Sequence, residues 1–289
     1  TNKIRIIMAY SDPRELVMDV REVYSLPTIY YRIDKAINDP RTSNSQIGDI
    51  LSEDVGLSAR LLKLSNSAFY SFPSKVDTIT SAISIIGTKQ LRDLVLATSV
   101  IEMFDGIPED LIKLESFWSH CIGCGVVARV IASINRESNV ESFFVAGILH
   151  DIGSLLIYSK MPEEAVKVME YVKAHKCTLH EAEMKCIGFT HTQVGGYLLK
   201  QWKLPKNLIE AVYYHHKPAS SRTYPNFASA VHIADIVATA MELGDGGEYY
   251  VPDIDKKAWK NTGLDNDAFS QIIPKVNRQF EDIMKIIFE

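Results

Sequence analysis

The chain has 289 residues, of which 46% are hydrophobic and 23% charged, with a formal charge of -5 and a pI near 5.9. That composition supplies an ordinary globular interior, excludes a mostly disordered chain, and gives no general positive field for a phosphate backbone. Four cysteines, Cys121, Cys124, Cys177 and Cys186, are too few for a disulfide framework and fit a reducing compartment. The opening segment Thr1 to Met8 is too short for a signal peptide, and no uninterrupted apolar stretch reaches the roughly 18 residues of a membrane span. The expectation is a soluble, cytoplasmic protein.

Apolar residues recur at three-to-four spacing along the chain, while alternation over strand length is hard to find, so the predicted class is all-α. Pro27 and Pro40 punctuate the first connections. Ser43 and Gln46 then match a capping box, opening a helix through Ile47, Ile50 and Leu51; Leu57, Leu61, Leu62 and Leu64 continue the pattern. Pro73 marks another connection, and Gly87 follows an apolar run where a left-handed cap suits glycine. The stretch Met103 to Lys113, rich in Asp, Gly, Pro and Glu, is the best internal boundary, giving helical subdomains over 1–112 and 113–289. Phe143 to Ile157 is apolar nearly all round and predicts one buried core helix. Gly188 ends the next run, Thr190 with Gln193 forms a second capping box, and Pro205 precedes a further helix. Gly244 to Gly247 predicts a mobile surface loop before a final helix ending in Ile283 to Ile287.

The second half carries His120, His150, Asp151, His191, His215, His216 and Asp235. His150 and Asp151 fall inside the predicted apolar helix, where an unpaired carboxylate is strongly disfavoured, so Asp151 needs a cationic or hydrogen-bonding partner. Neighbouring helical residues point about 100° apart, which lets His150 and Asp151, and likewise His215 and His216, border one cavity. Imidazole with carboxylate suits zinc, iron, manganese or nickel better than calcium. A solitary helical histidine is more often a hydrogen-bonded core residue than a ligand; the joint pattern carries the reading. His175 sits among lysines and reads as solvated, and His180 opens a polar helix beside Glu181 and Glu183. His232 lies three residues before Asp235 and is placed to orient that carboxylate. Cys121 and Cys124 form a CxxC without a second pair, which fits small core residues. No GxSxG, GxxxxGK[ST] or GxGxxG is present, which leaves metal chemistry or none.

On these residues the chain resembles the HDOD family, relatives of the HD-domain metal-dependent phosphohydrolases. The likeness runs from Leu26-Pro27 to Asp235 through Leu61 to Tyr70, Ala82 to Gly87, Ala146 to Gly153, Gly188 to Gly195 and Trp202 to Pro205. It implies an N-terminal helical subdomain packed on an HD-like bundle and a bacterial signalling or regulatory role. Other signalling proteins are the implied partners, with a phosphorylated small molecule as a further candidate ligand. Many relatives have lost metal ligands. Here His120, His150, Asp151, His191, His215, His216 and Asp235 all fall on ligand positions of the similar HD-GYP phosphodiesterases, which implies one or two divalent transition-metal ions (Fe, Mn, Zn or Ni). Two departures count against cyclic di-nucleotide hydrolysis: Ser154 stands where those enzymes carry a lysine implied to engage phosphate, and their GYP signature is broken at Thr223-Tyr224-Pro225. The leading expectation is a metal-binding interaction module. A metal-dependent phosphohydrolase is the alternative, and an apo scaffold with relic histidines a third.

Overall fold

The computed structural model describes residues 10–20, 24–104, 107, 111–265 and 267–288. Among these there is no strand, in agreement with the all-α expectation. The helices in chain order are α1 (Pro13–Asp19), α2 (Thr28–Asn38), α3 (Asn44–Ser52), α4 (Val55–Ser65), α5 (Ile79–Ile86), α6 (Thr88–Ile101), α7 (Leu114–Ile134) and α8 (Val140–Leu149). They are followed by α9 (Ile152–Lys160), α10 (Pro162–His175), α11 (Leu179–Cys186), α12 (His191–Gln201), α13 (Lys206–Tyr214), α14 (Pro225–Ala240), α15 (Lys256–Thr262) and α16 (Ala268–Phe288).

Capping chemistry sets several of these boundaries. At α3 the Gln46 amide donates to Ser43 Oγ at 3.3 Å while the Ser43 amide donates to Gln46 Oε1 at 2.8 Å, so two exposed donors are satisfied reciprocally. At α12 the Thr190 amide donates to Gln193 Oε1 at 3.0 Å. Pro27 and Pro205 stand at the N-caps of α2 and α13, and Gly87 and Gly188 take φ of 100° and 82°.

The predicted single helix over 143–157 is two helices. The chain breaks between α8 and α9 at His150-Asp151, with Asp151 at φ -102° and ψ 10°. At the break the His150 Nδ1 lies 2.6 Å from the Gly147 carbonyl, which also accepts the His150 amide at 3.5 Å, and the Asp151 carbonyl starts the next turn by accepting from the Ser154 amide at 2.8 Å. No uninterrupted apolar stretch of membrane length is present in the two longest apolar segments: Glu115 and Arg129 interrupt one, Glu141 and Asp151 the other. Leu114–Ile134 and Val140–Lys160 are long and apolar enough to cross a bilayer, but 83% and 94% of their apolar windows are buried inside the fold. α7 and the α8–α9 pair are core segments, apolar nearly all round because protein surrounds them.

One apolar core runs through both halves of the chain, from Leu16 and Ile33 to Ile272 and Ile283. Of the expected boundary segment Met103 to Lys113, residues 105, 106 and 108–110 lie outside the described residues, as do 1–9 at the start. Across the seam between the halves, the Arg129 guanidinium lies 3.7 Å from the Phe69 ring centroid, and on its own side it is 3.6 Å from Glu141 Oε1. At another point Asp282 of α16 accepts the Ala68 amide at 2.8 Å.

α7 and α8 cross closely because Gly147 faces Gly125: a Cβ on Gly147 would stand 2.5 Å from Gly125 Cα and 2.6 Å from its nitrogen. Gly147→Ala should therefore lower stability by about 2 kcal/mol or more through overpacking against backbone. Gly56→Ala, where the nearest atom would be an ordinary 3.6 Å away, should be neutral or gain about 0.5 kcal/mol. Urea denaturation of the two variants measures both, and equal midpoints would refute the packing argument.

Candidate metal centre

Six helices deliver the seven side chains. His120 comes from α7, His150 from the end of α8, Asp151 from the N-cap of α9, and His191 from the first position of α12. His215 caps α13, His216 follows it, and Asp235 sits inside α14. Close approach between α9 and α12 depends on Gly153, since a Cβ there would lie 2.0 Å from the His191 carbonyl oxygen.

The side chains converge in two adjoining groups. Asp151, His191, His215 and His216 form one, and His120, His150 and Asp235 the other; within each, one donor atom per residue lies within 4.8 Å of the rest. Asp151 joins them. Its Oδ1 lies 3.3 Å from His191 Nε2 and 3.5 Å from His215 Nε2, while its Oδ2 lies 3.1 Å from His150 Nε2. Asp235 Oδ1 is 3.2 Å from His120 Nε2 and 3.8 Å from His150 Nε2. All except His216 are buried.

The outer nitrogens explain the inward pointing of the rings. His150 Nδ1 faces the Gly147 carbonyl at 2.6 Å, His215 Nδ1 the Val212 carbonyl at 2.8 Å, and His191 Nδ1 the Glu183 carboxylate at 2.7 Å. Those acceptors require Nδ1 to carry hydrogen, so in the neutral ring Nε2 presents a lone pair. The lone pairs then face one another and the carboxylates: His191 Nε2 is 3.4 Å from His215 Nε2 and 3.2 Å from His216 Nε2. Acceptor facing acceptor is repulsive unless a proton or a cation lies between. Among the described residues His150 Nε2, though buried, has no hydrogen-bond partner.

The charge balance has the same origin. Burial works against the charged form of His150, yet the adjacent Asp151 carboxylate holds its pKa well above the ordinary value. For His191 burial again opposes charge, and buried Glu183 outweighs it, raising the pKa to about 9. His215 and His216 go down through burial, His216 strongly, with neighbouring imidazoles adding to the shift. Burial would raise Asp151, but His150 holds its carboxyl well below the usual range.

Two residues and one loop differ from their sequence reading. His180 is buried, its ring 5.0 Å from His216 and 6.3 Å from His191, so it lines the centre; burial, then His191 and Lys217, press its pKa down to about 3. His232 orients the His215 backbone rather than Asp235: its Nδ1 donates to the His215 carbonyl at 2.8 Å and its Nε2 accepts the Asp255 amide at 3.0 Å, which uses both nitrogens. Gly244 to Gly247 is no outlying surface loop. A Cβ on Gly246 would meet His120 Cδ2 at 2.7 Å and Asp151 Oδ2 at 3.2 Å, so this backbone lies directly on the centre. His175 is exposed, stacked on Tyr171 at 3.8 Å, and Cys121 and Cys124 are buried free thiols, as expected. Glu183 was missed as a functional residue; its one legible signal was its place eight residues before His191, whose amide it also accepts at 2.8 Å.

A cleft of about 810 Å³ leads from solvent to His216. Its walls include His180, Lys185, Lys217 and Asp253.

The HDOD domain model matches residues 23–218, and the chain belongs to the HDOD family. An HDOD domain protein of unknown function from Geobacter sulfurreducens is 25% identical with a TM-score of 0.76, covering 96% of this chain and 97% of that one. A proposed phosphohydrolase from Shewanella amazonensis SB2B shares the fold at 24% identity and a TM-score of 0.74, covering 96% and 99%. An uncharacterized protein of Treponema pallidum (strain Nichols) is 24% identical over 225 residues, covering 77% of this chain and 43% of that protein. The chain thus spans less than half of that curated relative.

The histidines predict opposite pH slopes in metal-free protein. His180 has a folded pKa near 3 against an ordinary value of 6.5, so the unfolded chain takes the proton first and stability falls as pH drops below about 6.5. His191, raised to about 9, contributes stability that is full below 6.5 and lost as pH rises through 9. Urea midpoints followed from pH 4 to 9 should show His180→Gln flattening the acid limb and Glu183→Gln the alkaline limb. Unchanged slopes in both variants would contradict these assignments.

Proposed function

We propose that the chain is a cytoplasmic signalling module that binds one or two divalent transition-metal ions and acts through protein contacts. The carrying observation is the convergence of Nε2 atoms of rings whose Nδ1 atoms are already committed. Such a donor set, all imidazole and carboxylate, fits Fe, Mn, Zn or Ni, with His120, His150 and Asp235 holding one ion and Asp151, His191, His215 and His216 the other. Asp151, whose two oxygens face different groups, would be shared between the two sets of ligands. In this reading residues 113–289 carry the metal centre and residues 1–112 form the attached helical subdomain. The signalling role rests on the HDOD family relation.

The split of Asp151 between two groups also favours a second reading, a metal-dependent phosphohydrolase. A bound pair of ions would polarise a phosphoryl oxygen and lower the pKa of bound water. Ser154 weighs against cyclic di-nucleotide turnover, because a hydroxyl supplies no positive charge to phosphate. Phosphodiesterase activity on such substrates should be absent or very weak with Mn²⁺ present. Robust turnover that disappears in Asp151→Ala would replace the first reading by the second.

Protein purified without a histidine tag or chelator should contain one to two transition-metal ions per chain by elemental analysis. Because the ligands come together only on folding, free metal at about a hundred times its dissociation constant should stabilise the native state by roughly 2.7 kcal/mol. Chelation should lower the melting temperature without unfolding the chain at room temperature. Asp151→Ala should lose most of this metal-dependent shift and His175→Ala almost none. Equal shifts in wild type and Asp151→Ala would place the stabilising ion elsewhere.

A further inference from the structure

The segment following α14 is tied down on both sides of the centre. Near its start the Leu243 carbonyl accepts Ser119 Oγ at 3.1 Å and the Asp245 amide donates to the Ser116 carbonyl at 3.0 Å, both on α7. At its far end Glu248 Oε1 accepts the amide of Leu179, the first residue of α11, at 2.9 Å. Between these ties the backbone can lie against the centre only without side chains. A Cβ would stand 3.0 Å from His120 Nε2 at Gly246 and 3.0 Å from Tyr158 Oη at Gly247, whose φ is 95°.

What the strap brings in is Glu248. Its Oε2 is buried and has no hydrogen-bond partner among the described residues, and the same is true of Ser154 Oγ and Tyr158 Oη. Ser154 is 0% exposed and Tyr158 2%, so neither hydroxyl reaches solvent. Four residues apart on α9, they share one helical face, and that face begins at Asp151. Buried polar oxygens without partners cost free energy, and those of Glu248, next in the chain to Gly247, and of Ser154 and Tyr158, on the α9 face that begins at Asp151, call for occupants. The charges that bear on Glu248 are those of Asp235, His191 and Asp151.

We propose that Glu248 is a further metal-facing carboxylate, carried to the centre by the glycine strap 244–247, which closes the centre on the side of His120 and Asp151. The inference rests on the metal-binding reading. Glu248 supplies its free oxygen to a bound divalent cation, directly or to a water on that cation, and the Ser154 and Tyr158 hydroxyls hold water on the same side. With the strap in place, exchange runs through the cleft at His216.

The test compares wild type with Glu248→Gln, which keeps an oxygen for the Leu179 amide while removing the charge, and with Glu163→Gln as an exposed control. Mn²⁺ affinity is measured by calorimetry, the rate of metal loss to excess chelator by stopped flow, and the melting temperature without metal. Glu248→Gln should bind Mn²⁺ about tenfold more weakly or worse and release it faster. Its metal-free melting temperature should be unchanged or raised, because the oxygen that accepts the Leu179 amide is kept and only an oxygen without a partner is replaced. Gly246→Ala keeps Glu248 but lifts the strap from His120, and it too should release metal faster. Wild-type affinity and release in Glu248→Gln would overturn the proposal while leaving the metal reading intact. A metal-free melting temperature lowered in Glu248→Gln, with affinity unchanged, would assign Glu248 a structural role only and also overturn it. Wild-type protein that binds no Mn²⁺ would overturn both the proposal and the reading beneath it.

Discussion

Three imidazole rings in this protein have no freedom to turn. The Gly147 and Val212 carbonyls and the Glu183 carboxylate each engage an Nδ1, and each leaves an Nε2 aimed at Asp151 from between 3.1 and 3.5 Å. Neutral rings so fixed set lone pair against lone pair in a buried space. A proton can relieve part of that repulsion, as the raised pKa values of His150 and His191 reflect, but a proton serves one contact at a time. A divalent cation serves several at once, and it does so in the low-dielectric surroundings where the attraction is strongest.

Helix ends do most of the positioning. His150 and Asp151 stand where α8 gives way to α9, His191 opens α12 and His215 closes α13. At a helix end the backbone still has unpaired groups to offer, and the side chain can leave the axis at an angle that a mid-helix residue cannot adopt. The same termini provide the carbonyls that anchor the rings. His120 and Asp235, the two mid-helix members, are instead brought together by the packing of α7 against α14, where their side chains meet at 3.2 Å.

The two halves of the chain are joined by polar contacts set in an apolar seam. Arg129 is buried against Phe69 and Glu141, and α16 returns from the C-terminal end to hold the Ala68 amide through Asp282. α7 carries both Arg129 and His120, so a shift of this helix at the seam would reach the centre through one rigid element.

The sequence by itself determined the helical class and the capping boxes at Ser43 and Thr190, because periodicity and capping act over short range and survive in a linear reading, and it offered seven histidines and aspartates as candidates whose convergence is a matter of packing. A histidine beside an aspartate in an apolar run was legible for the same reason: burial without a partner is unfavourable wherever the partner comes from. The break at His150-Asp151 was not legible, since it is accompanied by a ring contact to the Gly147 carbonyl that leaves no mark on the periodicity, and the run is equally apolar with or without it. The roles of His180, Glu183 and Gly246 were decided by tertiary structure alone. Each looks polar or loop-forming among its neighbours in the chain, and each acts on residues that only the packing of α7, α9, α11 and α12 brings within reach.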